Sequence, residues 1–153
     1  MVGNSIAQSA QPIISFNYGI GRMDRVNQAL RLLIGTAIVS GLVVTAGFVG
    51  CPQQLVGFFL DTDTIAARLA MEGFPLFAVG FVATIINVAA VGYLQSVEQV
   101  RLSTFFSLLR GVLFLLPCFY LLPMVWGVPG IWLASATTEM LTLAVIVGVM
   151  ARR

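Results

Sequence analysis

No residue carries a charge between Arg31 and Asp61, between Glu72 and Glu98, or between Arg110 and Glu139. Each of these runs exceeds the roughly 20 apolar residues that a helix needs to cross a bilayer core. In lipid every backbone N–H and C=O must be satisfied within the protein, which leaves helices or closed barrels, and uninterrupted runs of this length select helices. Only 9% of the residues are charged and 59% are hydrophobic, whereas a soluble domain carries roughly a quarter charged residues. The expected fold is therefore an all-α integral membrane protein. It should have about four transmembrane helices, a partial N-terminal helix and a short interfacial helix.

Breakers and polar clusters divide the chain as one membrane region. Residues 1–19 read as a partial helix, weakly hydrophobic and studded with Asn4, Ser5, Gln8, Ser9 and Gln11, with Pro12 opening its hydrogen-bond ladder. Gly19 and Gly21 end it, and Asp24 sits where a restarted helix presents its positive N-terminus. A first span is expected over 32–50, closed by Gly50-Cys51-Pro52. Its Ala37, Gly41 and Thr45 form a stripe of small residues suited to close helix contact in lipid. An amphipathic connector, 52–68, is expected on the membrane surface, and an N-cap is expected within Asp61-Thr62-Asp63-Thr64. Further spans follow over 71–96, kinked early by Pro75, over 105–125, broken by Pro117, and over 131–151. Arg68 and Glu72 stand one turn apart as an interfacial pair, and Arg110, near the start of its span, is expected to snorkel outward. Pro123 to Gly130 reads as a tight turn flanked by the interfacial Trp126 and Trp132.

If four spans alternate, Arg22, Arg25, Arg31, Arg101, Arg110, Arg152 and Arg153 fall on one side and only Arg68 on the other. The positive-inside rule makes the arginine-rich side cytoplasmic, with the C-terminus there and the protein in the cell membrane.

No enzyme constellation is present. The chain has no His and no Lys, so phosphate-cradling loops, metal hydrolysis and base-activated nucleophiles lack their groups. Cys51 and Cys118 without His partners make neither a metal site nor a disulfide framework. A net charge of +2 spread along membrane borders argues against nucleic acid, and lipid is the expected surrounding.

Glu139 is the outstanding candidate for function. It lies roughly eight residues into the last span, about 12 Å along a helix. A carboxylate there must face the bundle interior and be protonated, paired or cation-bound. Ser135 and Thr142 share its face. The group is either a proton or cation site or a structural hydrogen bond between helices. Asn87, mid-span near Thr84, either faces the same cavity or ties helices together, while Phe74, Phe77 and Phe81 with Met71 offer a wall for a lipophilic cation or simply face lipid.

The stretch from Ile6 to Gly19, IAQSAQPIISFNYG, followed by Asp24-Arg25-Val26 and Ala29-Leu30, closely resembles the cytoplasmic end of the second helix in the C-terminal lobe of MATE multidrug and toxin efflux proteins. Tyr93-Leu94-Gln95, Ser107-Leu108-Leu109-Arg110-Gly111 and Gly127 to Ala134 leading to Glu139 are similar to later parts of that family. The resemblance covers nearly the whole chain, from the end of the eighth helix through the twelfth. It implies part of a MATE-type helical bundle, an antiporter exporting small cationic drug-like compounds in exchange for protons or sodium, with no other cofactor. It also implies that this portion is inactive alone and needs the missing N-terminal lobe or another membrane chain. The implied pathway residues are Glu139, Asn87, Gln11, Asn17 and Ser135. Where some members carry a carboxylate on the tenth helix, this chain has the uncharged Asn87. Two other readings stay open: a flippase of lipid-linked oligosaccharides, and a small membrane subunit without transport of its own.

Overall fold

The computed structural model describes residues 2–61 and 63–152. Among these the chain is helical throughout, without a strand. Helix α1 (Val2–Gly19) ends in a turn in which Gly21 takes a positive φ of 74°. The Arg22 N–H donates to Asn17 O (2.9 Å) and the Gly21 N–H to Tyr18 O (3.0 Å), the paired bonds of a Schellman cap. Helix α2 (Met23–Gly50) follows at once, starting well before residue 32 because nothing between Met23 and Leu32 interrupts the ladder. At 28 residues it is about 42 Å long by its rise per residue.

The connector differs from the expected amphipathic helix. Cys51 ends α2, Pro52 opens α3 (Pro52–Gly57), and the chain then leaves helix, with Phe58 and Phe59 more than four-fifths exposed. Helix α4 (Ile65–Ala78) begins on Thr64, whose Oγ1 accepts from the Ala67 N–H at 3.2 Å and donates to Asp61 O. This is the expected cap, with Thr64 as its residue; Thr62 lies outside the described residues. Arg68 and Glu72 are both exposed and form no ion pair with each other, as long side chains in water gain little from one.

The expected 71–96 span is two helices, α4 and α5 (Phe81–Ser96), bent by 52°. The bend falls at Val79-Gly80 and not at Pro75. A Cβ on Gly80 would stand 2.7 Å from Ala136 Cα, so the break lies where backbone meets backbone. Helix α5 ends on Glu98, whose φ of 60° gives the same Schellman geometry as Gly21, here without glycine: the Gln99 N–H donates to Leu94 O.

The next span is longer than 105–125. Helix α6 (Val100–Leu108), a π-helical segment (Leu109–Phe114) and α7 (Leu115–Trp126) run on as one rod. Pro117 does not break it: it lies in the first turn of α7, and the wide turn just upstream absorbs the missing donor. The following turn is also shorter than expected. Pro123 lies inside α7, Gly127 alone reverses the chain with φ 62°, and α8 (Val128–Ala151) begins immediately.

Helix α5 is the centre. It is mostly apolar on every face, with Thr84, Asn87 and Gln95 among its polar exceptions, and it separates two cores. Ile14, Val26, Leu33, Ala37, Ile85 and Ala89 join α1, α2 and α5; Ala90, Leu94, Phe106, Leu109 and Ile146 join α5, α6, the π segment and α8. The Ala37/Gly41/Thr45 stripe is a contact surface. Gly41 lies against Val82, and Thr45 Oγ1 donates to Ala78 O at 3.1 Å. Phe48, Phe74, Phe77, Phe81 and Trp132 pack ring against ring, with Trp132 closing over Gly73, so the three phenylalanines of the expected wall are engaged with one another, with Phe48 and with Trp132. Among the described residues α2, the α6–α7 rod and α8 are each long and apolar enough to cross a membrane, and the bent α4–α5 pair is so when taken together, as a broken span or a re-entrant loop. Large apolar side chains such as Val39, Val43, Leu116 and Val125 are left exposed on these helices, as surfaces facing lipid or another helix would be.

Candidate functional site

Helices α1, α5 and α8 and the π segment enclose an open cavity of about 540 Å³. Its wall is unusually polar for this chain. Asn4, Gln8 and Gln11 come from α1, Gln95 from α5, Ser107 from α6, Arg110 from the π segment, and Thr138 and Glu139 from α8.

Glu139 sits eleven residues into α8, about 16 Å from its start, deep in the span. Both of its oxygens are engaged. Oε1 accepts from Arg110 Nε at 2.7 Å, and Oε2 accepts from Asn87 Nδ2 at 2.8 Å. The same Asn87 amide also donates to the Glu139 backbone carbonyl at 2.9 Å. Asn87 is fully buried, and its Oδ1 has no hydrogen-bond partner. The Glu139 side chain is 9% exposed and the Arg110 side chain 30%, so the carboxylate is covered while the guanidinium borders the cavity. A charge this deep is tolerable because it is paired: stripping one partner from such a pair costs about 3–5 kcal/mol.

Of the residues singled out in the sequence, the structure joins Glu139 and Asn87 directly. Gln11 lies on the same cavity and donates through Nε2 to Gln95 Oε1 at 3.2 Å, closing another part of the wall. Asn17 lies elsewhere, donating to Ile13 O at 2.8 Å beside the Arg22/Arg25 turn. Ser135 is half-buried and does not line the cavity. Thr142 and Thr138 return their hydroxyls to carbonyls one turn back, Thr138 O and Ala134 O, so the polar stripe is largely satisfied within α8.

Arg110 is the residue that sequence reasoning misplaced. Instead of snorkelling outward it turns inward onto Glu139, because the π turn and a buried carboxylate favour the inward pose. The available signal was the pairing rule itself: in an apolar bundle one buried acid and one in-span arginine are each other's most economical partners. Among the described residues no group of three His, Cys, Asp or Glu side chains is placed to hold a metal ion.

Comparison with known proteins gives one family. A model of the family described as MatE matches residues 1–121, which takes in Gln11, Asn87 and Arg110 but not Glu139. Neither the search of curated proteins nor the search of solved structures found a match.

Proposed function

Because the chain belongs to the MatE family, whose members are multi-pass membrane transporters, we propose that it supplies the C-terminal part of an antiporter that exports cationic amphipathic compounds in exchange for protons or sodium. In this reading Glu139 is the carboxylate that meets the cation. Asn87 holds it in place, and Gln11 lines the approach. The observation that carries the reading is a carboxylate deep in a transmembrane helix, on the wall of a polar cavity large enough for a small organic molecule. Alternating access needs two lobes that rock about a shared site, so transport requires a companion lobe, from a longer chain or a separate one.

The cavity wall is also charge-balanced. Among the described residues Arg110 is its one cationic group, and it is already engaged with Glu139. That weighs against a flippase for lipid-linked oligosaccharides, whose polyanionic headgroup calls for several cationic side chains.

Expressed from its native locus in cells lacking other efflux pumps, the protein should keep ethidium accumulation low. Glu139→Gln, which keeps the side-chain shape but removes the charge, should restore accumulation when compared at equal membrane abundance. Undiminished efflux by that variant would reduce Glu139 to a structural residue.

A further inference from the structure

We propose that Arg110 is a tethered stand-in for the transported cation, occupying Glu139 when the cavity is empty and leaving it when a cation binds. The proposal rests on the reading of Glu139 as the cation-contacting carboxylate and adds a competitor built into the chain. Three observations carry it.

The first is the count of charges. The polar groups that line the cavity beside Glu139 are Asn4, Gln8 and Gln11 on α1, Gln95 on α5, Ser107 on α6, Arg110 on the π segment and Thr138 on α8, with Asn87 buried behind the carboxylate, and only Arg110 among them is charged. Glu139 can therefore neutralise one positive charge, and a cation entering the cavity has to displace the guanidinium to reach it. An empty carboxylate at this depth would be costly, and Arg110 removes that cost between cycles.

The second is room to leave. Arg110 also borders a second cavity of about 210 Å³ between α1, α2 and α5, lined by the polar Asn4 and Thr84. Its side chain is bonded to Glu139 through Nε, and it is more than three times as exposed as the carboxylate that it neutralises.

The third is the backbone that carries it. Arg110 is the second residue of a π-helical segment, a geometry in which one extra residue is held within a turn. Passing that residue along the helix turns one side of the segment relative to the other by about 100°. Gly111, next to Arg110, has open space where a Cβ would stand, so this turn meets no steric wall there. The rod thus has a built-in way to carry the guanidinium off Glu139 without unfolding.

The test uses the purified chain in detergent and tetraphenylphosphonium as the probe, with equilibrium dialysis at mildly alkaline pH, where protons compete least. A site open only in the fraction of molecules whose arginine has swung away binds with an affinity reduced by that fraction, so Arg110→Gln should tighten Kd by about ten-fold. Arg110→Lys keeps a cation but loses the planar fork, and should tighten Kd in the same direction by less. It decides the matter if the Gln variant does not fold. Unchanged or weaker binding in these variants, alongside loss of binding in Glu139→Gln, overturns the competitor role and leaves Arg110 structural. Unchanged binding in Glu139→Gln removes the underlying reading, and the proposal with it.

Discussion

At the scale of single residues, the account turns on how a carboxylate is held where water is scarce. Glu139 spends one oxygen on Arg110 and the other on Asn87, while the carbonyl oxygen of Asn87 goes unpartnered. Nature thus satisfies the charged group and leaves the neutral one wanting, the cheaper of the two defects. Asn87→Leu should therefore destabilise the protein by about 1–3 kcal/mol, even though it removes the orphaned atom, because it strips donors from a buried carboxylate. Thermal unfolding in detergent checks this, and a stabilised variant would show that Asn87 is not what holds Glu139. That Glu139 and Asn87 would be buried inside the bundle was legible in the sequence, because a polar residue in a long apolar run must find a partner there. Asn17 and Ser135 are polar in the same way, yet Asn17 returns its amide to Ile13 O within its own helix and Ser135 stays off the cavity. The direction in which Arg110 points was legible only through the rule that pairs a buried acid with an in-span arginine, and the π turn that carries it was not.

At the scale of elements, charge-free runs and breakers located the helices, and packing decided their ends and bends. The Gly50-Cys51-Pro52 breaker stands where it should, whereas Pro75 and Pro117 lie inside helices that continue past them. The bend near Gly80 is instead a matter of what presses on the backbone from α8, which is invisible without the partner helix. The small-residue stripe of α2 is likewise readable as a pattern and decided only by contact. Gly41→Ala would put a Cβ 2.8 Å from Val82 Cα and should destabilise the bundle by about 1–3 kcal/mol. Gly35→Ala on the same helix meets nothing within 4 Å and should be neutral or stabilising, by up to about 1 kcal/mol. Equal effects of the two on the unfolding temperature would show that α2 does not pack on α5 through this stripe.

At the scale of the whole molecule, the chain is a MatE-family membrane bundle centred on α5, with a polar cavity on one flank. If the chain crosses four times with its arginine-rich ends on the cytoplasmic side, as the positive-inside rule expects, the α2–α4 connection faces outward. Cys51 is exposed in that connection and Cys118 is buried, so a membrane-impermeant maleimide added to intact cells should label Cys51 alone. Labelling of Cys51 only after the membrane is opened would invert the topology. Membership in the family was legible from short motifs spread along the chain, whereas the central claim, that Glu139 receives a cation, concerns a residue beyond the matched region. It is tested most directly by dialysing tetraphenylphosphonium against the purified protein and its Glu139→Gln variant. The account predicts that affinity falls by about ten-fold or more, at least 1.4 kcal/mol of binding free energy, measured on variant protein that remains folded in detergent. An equal affinity in the two proteins would contradict it.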